Sequence, residues 1–133
     1  MGDRATIRIK QAYNETAIHL YTHWSGSQVE EILARALLEA DNAGRITDEA
    51  YATRIIFDAL TQLEGGSTGY GIIVGDDCRP FDVGRDSPSV EWEKDSGSSE
   101  PRVQYMTVGG EFTGLSAWRD WAKYILRNDL TAV

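Results

Sequence analysis

Tyr21-Thr22-His23-Trp24-Ser25-Gly26-Ser27 combines an imidazole, an indole and two serine hydroxyls in seven residues. The run stands where an apolar alternating segment gives way to a helical pattern. A helix start offers unsatisfied N–H groups and partial positive charge, a natural seat for an anion. Trp24 can stack on a planar group, and the Ser25 and Ser27 hydroxyls can donate hydrogen bonds. A second run, Gly65-Gly66-Ser67-Thr68-Gly69-Tyr70-Gly71, is small and flexible enough for close backbone approach to a ligand. It lacks the Gly-Lys-Ser/Thr ending of a phosphate-binding loop and precedes a strand rather than a helix. Arg54 is the only basic residue of the second helical segment. These positions suggest a pocket of His23, Trp24, Ser25, Ser27, Arg54, Thr68 and Tyr70 for a small phosphorylated, base-containing ligand. Arg54 and the helix start would meet phosphate, and Trp24 and Tyr70 would stack on the base. Arg54 can equally pair with Asp48 or Asp58 on its own acidic helix.

Other chemistries fit less well. His19 and His23, four apart, would share a metal on a helix, but on a strand they stand roughly 13 Å apart. His23-Trp24-Ser25 has the form of half a two-histidine phosphodiesterase signature, yet no histidine follows it. A serine nucleophile served by His23 stays open, because such groups assemble in space rather than in sequence. Cys78, the only cysteine, lies among Asp76, Asp77 and Asp82, whose charge disfavours a thiolate. No catalytic residue, metal site or cofactor is assigned.

The elements that must hold these residues follow from periodicity. Thr6 to Lys10 alternates, with Ile7 and Ile9 inward, as a half-buried strand, and Ala17 to Trp24 forms its hairpin partner. Ser27 and Glu30 have the spacing of a capping box. The helix they open carries Val29, Ile32, Leu33, Ala36, Leu37 and Ala40 on one stripe and ends at Gly44. A second helix from Thr47-Asp48 buries Ala52, Ile55, Ile56, Ala59, Leu60 and Leu63. Gly69 to Gly75 reads as a buried strand. Residues 76–88 read as loop, with a short strand at Phe81–Val83. Strands follow at Ser89–Lys94 and Arg102–Val108, then a short piece at Glu111–Thr113 between glycines. A last helix from Ser116 carries Trp118, Trp121, Ala122, Ile125 and Leu126. The expectation is one α+β domain over residues 1–133, order β-β-α-α-β-β-β-α, with three amphipathic helices on a mainly antiparallel sheet of about five strands.

The 133 residues carry 21 acids and 13 bases, a net charge of −8. Segments 25–64 and 65–101 hold −5 each, and the two ends +1 each. This disfavours general nucleic-acid or anionic-lipid binding. It leaves room for a basic protein partner, or for a compact anion held by one arginine and a helix start. No segment has the apolar core of a signal peptide or the length of a membrane span. Aromatic residues beyond the needs of the core allow a homo-oligomer.

Tyr21–Ser27 (YTHWSGS), Ala52–Phe57 (ATRIIF) and Thr68–Ile72 (TGYGI) together resemble a family of small uncharacterised proteins of bacteriophages and prophages, over residues 17–75. The resemblance implies an accessory protein made in the cytoplasm of an infected bacterium. Such a protein counters host defences by sequestering a nucleotide immune signal or by docking on a host defence protein. A small nucleotide-hydrolysing enzyme is the third possibility.

Overall fold

The computed structural model describes residues 3–62, 69–75, 84–93 and 100–127. Strands β1 (Ala5–Lys10) and β2 (Ile18–Thr22) form an antiparallel hairpin in which Ile7 faces Leu20. A single 3-10 turn, Gly26–Gln28, leads into α1 (Val29–Asn42), and α2 (Glu49–Gln62) returns against it. Then come β3 (Tyr70–Val74), β4 (Ser87–Glu91), β5 (Arg102–Met106), β6 (Phe112–Ala117) and α3 (Trp118–Ile125). The six strands lie in the order β3-β2-β1-β4-β5-β6, antiparallel except for the central β1–β4 pair. This is the expected α+β architecture with one more strand.

The core forms where the α1 stripe, Ile55, Ile56 and Leu60 of α2, and Trp118, Trp121, Ala122 and Leu126 meet Ile7, Ile9, Leu20, Val90 and Val103. Gly44 ends α1 with φ +72°, the left-handed conformation its position demanded. Of the expected α2 stripe, Ala59 is only partly buried and Leu63 lies outside the described residues. Among the described residues no helix is long and apolar enough to cross a membrane.

Four local expectations are corrected. The first strand is buried on both faces: Thr6 bonds Ser87 (Oγ1–Oγ 2.7 Å) and Arg8, 6% exposed, donates to Ser89 Oγ at 3.0 Å. Its polar face meets β4, 81 residues away, instead of water. The segment read as a buried strand, β3, is an edge, with Ile72 55% and Val74 73% exposed. The piece at 111–113 is the start of β6, which continues through Gly114 (φ +71°) at an irregular register, so α3 begins at Trp118 and not Ser116. Pro88, assigned to loop, is the second residue of β4. The short strand expected at 81–83 lies outside the described residues.

Candidate functional site

Thr22 ends β2, and the chain must turn sharply there to enter α1. Thr22 Oγ1 accepts the Ser25 N–H (3.2 Å), and Ser25 O accepts the Gln28 N–H (3.0 Å), closing the turn. The expected capping box is absent: neither N-cap residue, Ser25 for the 3-10 turn or Gln28 for α1, caps with its own side chain, and Glu30 instead accepts the Tyr105 hydroxyl. The cap comes from Asp3. Its N–H donates to His23 O (2.7 Å), its carbonyl accepts the Gly26 N–H (2.7 Å), and its Oδ2 accepts the Ser27 N–H (2.9 Å). Arg85 Nη2 donates to the other carboxylate oxygen, Oδ1, at 2.9 Å. The anion seat expected at this helix start therefore exists, and the chain's own carboxylate sits in it.

Hydrogen bonds from the Ser27 side chain and backbone N–H, followed by the Arg85 charge, hold the Asp3 carboxyl below its ordinary value of 3.8. A carboxyl depressed in the folded state stabilises the fold above its unfolded pKa and loses that contribution as pH falls through the folded pKa. Asp3→Asn is expected to melt below the wild type at pH 7. The gap should close as the pH falls below 3.8, because the wild-type carboxyl is then neutral too. Thermal melts across this range, compared variant by variant, check it; a gap unchanged in acid removes the charge from the account.

The described end of the second run, Gly69 to Gly71, meets this turn. His23 N–H donates to Gly69 O at 2.8 Å, and Tyr70 stands opposite Thr22 in the β2–β3 ladder. Trp24 lies against Gly69 so closely that a Cβ there would stand 2.6 Å from Cδ1 and 2.9 Å from Nε1 of the indole. The His23 ring meets the Trp24 ring edge-on at 4.3 Å, and Tyr21 OH bonds His23 Nδ1 at 2.9 Å. Trp24 is thus braced from two sides and still 50% exposed. The next residue, Ser25, is buried, 2% exposed, and Ser25 Oγ and Tyr70 OH find no hydrogen-bond partner among the described residues. A buried hydroxyl left unpaired is costly and marks a place where a ligand or water belongs. Since Ser25 Oγ makes no bond to His23, a base–nucleophile pair is not formed.

His23, Trp24, Ser25, Ser27 and Tyr70 are brought to one end of the sheet; Arg54 is not. Its neighbour Thr53 accepts a bond from Gln11 Nε2 (3.1 Å) at the β1–β2 turn, which is the opposite end of β2 from Trp24. Arg54 pairs with Asp58 (Nη1–Oδ2 2.5 Å), the alternative its sequence allowed, and lines a recess of about 230 Å³ with Ala50 and Tyr51. Thr68 lies outside the described residues, as does Cys78. The residues missed from sequence are Asp3 and Arg85. The only available signal was that the helix start required an anion, with no indication that the chain supplies it.

A cleft of about 530 Å³ lined by Glu30, Gly84, Arg85, Asp86, Tyr105 and Thr113 opens beside the Asp3–Arg85 pair. In it Tyr105 OH donates to Glu30 Oε2 and accepts Trp121 Nε1–H at 2.9 Å. Burial, reinforced by the bond to Glu30, pushes the Tyr105 phenol well above its ordinary value of 10.0, so at neutral pH it stays a neutral hydrogen-bond donor. Among the described residues, no three His, Cys, Asp or Glu side chains gather as a metal site. Comparison with protein-family models, curated proteins and solved structures finds no match to this chain.

Proposed function

We propose that this protein binds a small, planar, nucleotide-type ligand where the β2–α1 turn meets the head of β3, and holds it without converting it. The observation that carries the reading is the pair of unpaired buried hydroxyls, Ser25 Oγ and Tyr70 OH, on residues that flank Thr22 and adjoin a braced, half-exposed Trp24. Trp24 supplies a stacking face and the hydroxyls supply directional bonds to a base edge. Arg54 has no part in it. The resemblance to phage proteins gives the setting: the ligand would be a nucleotide immune signal in the cytoplasm of an infected bacterium, and the protein its sponge.

Calorimetry and thermal shift against adenosine, AMP, cyclic dinucleotides and ADP-ribose, followed by chromatography of the ligand, test this. At least one base-bearing ligand is expected to bind and to be recovered intact. Trp24→Ala should weaken it by about 1–3 kcal/mol, and Arg54→Ala should leave its affinity unchanged. A new chemical species would make the protein an enzyme, and no heat or thermal shift across the panel would end the reading.

A second reading, docking on a protein partner, is favoured by β3 itself. Tyr70–Val74 has no charged side chain, and an edge strand with exposed Ile72 and Val74 offers main-chain groups to another strand, from a host protein or a second copy. Lysine at Ile72 and Val74 would abolish such docking and leave the Trp24 site intact.

A further inference from the structure

Strand β3 presents its main chain outward in a pattern that fits itself. Gly69 O accepts the His23 N–H, and the Gly75 N–H donates to Ala17 O. In the β2–β3 ladder, residues 69, 71, 73 and 75 therefore turn their backbone groups toward β2. Tyr70, Ile72 and Val74 point theirs the other way, and among the described residues no strand lies there. Their side chains are uncharged, and the register with β2 runs unbroken over all of Tyr70–Val74. Ile72 stands opposite buried Leu20, so its side chain lies on the helix side of the sheet, where the helices leave it and Val74 exposed. The other edge, β6, lacks this regularity: its register with β5 shifts between Val103 and Tyr105, and Gly114 takes φ +71°. Irregularity of that kind protects an edge from new partners.

Resting on the reading that β3 docks a protein, and independent of the Trp24 site, we propose that its occupant is the β3 of a second copy, paired antiparallel about a two-fold axis at Ile72. Tyr70 then meets the partner's Val74, Ile72 the partner's Ile72 and Val74 the partner's Tyr70, each pair exchanging both of its main-chain bonds. The same operation sets the exposed Ile72 and Val74 side chains against uncharged neighbours on the helix side. Charge selects a second copy over a basic host protein. A chain of net charge −8 draws basic surfaces to its acids and repels its own copy wherever acids face acids. At β3 there is no charge to do either, so two copies can meet there and a basic partner gains nothing. One open edge per chain joins two six-stranded sheets into one and then stops, which gives a closed dimer rather than a filament. Five residues a side fall well below a standard interface, so the dimer is weak, with a dissociation constant in the micromolar range.

Sedimentation equilibrium compares the wild type, Ile72→Lys, Ile72→Glu and an equal mixture of the two variants, each checked for folding by circular dichroism. The wild type is expected to rise from 14.8 kDa towards twice that mass as its concentration is raised. Like charges meeting at the two-fold should weaken the self-association of each variant by about tenfold or more. The mixture should regain it, because lysine then faces glutamate. A wild type that stays monomeric up to about 1 mM, variants that associate as the wild type does, or a mixture no heavier than its separate variants overturns the proposal. Should the variants fail to fold, amide exchange in the wild type decides: Tyr70, Ile72 and Val74 should exchange more slowly as concentration rises, and unchanged rates overturn it equally. A strand peptide of alternating threonine and valine separates self-pairing from docking in general. If it slows those three amides in a chain that stays monomeric, β3 takes up strands but not its own copy, and the dimer is overturned alone. If the chain is monomeric and the peptide leaves the amides unchanged, docking at β3 falls with it.

Discussion

Trp118→Ala is expected to lower the unfolding free energy by about 3–5 kcal/mol, the largest effect of any single substitution considered. Trp118 is the largest of the fully buried side chains and stands where β6 passes directly into α3. Its indole N–H donates to Glu100 Oε1 at 2.7 Å, its backbone N–H to Pro101 O at 3.2 Å, and the Arg119 guanidinium lies 4.6 Å over its ring. Truncation would leave a cavity in the core and remove the partner of Glu100 at once. Trp118→Phe separates the two contributions: it keeps most of the ring volume and loses the indole hydrogen bond, so its cost should be less than half that of the alanine. Denaturant titration should show the midpoint falling with little change in slope, the mark of lost stability within an unchanged fold. A loss below about 1 kcal/mol would fit only an ordinary surface position, and α3 would then not be docked as described.

How far such packing can be read in advance depends on whether its cause is local. The stripes of α1 and α3 are legible because a helix presents i, i+3 and i+4 on one face, and Leu33, Leu37, Trp118 and Trp121 obey that rule and are buried. The status of β3 is not legible, since Ile72-Ile73-Val74 favours a strand without specifying which strand flanks it. Gly114 looked like an end because glycine so often is one, yet here its positive φ carries β6 across an irregularity. Thr6 and Arg8 looked solvated because the hydroxyls that receive them, Ser87 and Ser89, are distant in sequence. The site divides the same way. His23, Trp24, Ser25 and Ser27 fall together because strand end and helix start are adjacent in the chain, and Tyr70 joins them through a ladder between sequence-distant strands. Arg54 has the charge and the helical setting of a phosphate ligand, but a carboxylate four residues on claims it. Arg85 was unreadable because the carboxylate it meets is 82 residues away.

Two glycine-to-alanine changes at this end of the sheet should have opposite signatures. A Cβ on Gly26 would stand 2.6 Å from Asp3 O, 2.7 Å from Arg4 O and 2.9 Å from the Arg4 carbonyl carbon, all backbone atoms of the segment entering β1. None can rotate away, so the segment itself must shift, breaking the Gly26 N–H to Asp3 O bond and loosening the carboxylate from Ser27 and Arg85. The expected loss is about 3 kcal/mol, the upper range for overpacking. The acid-sensitive part of the stability attributed to Asp3 should disappear with it. A Cβ on Gly69 meets only the indole of Trp24, whose half-exposed ring can swing outward at a cost under about 1 kcal/mol. Gly69→Ala should therefore melt near the wild type while its tryptophan emission shifts to the red and its affinity for a base-bearing ligand falls. Gly26→Ala at wild-type stability would mean that Asp3 does not hold this turn, and a Gly69→Ala protein with full affinity would mean that Trp24 does not form the stacking face. The pair tests the clamp and the platform separately, because one glycine abuts fixed backbone and the other a movable ring.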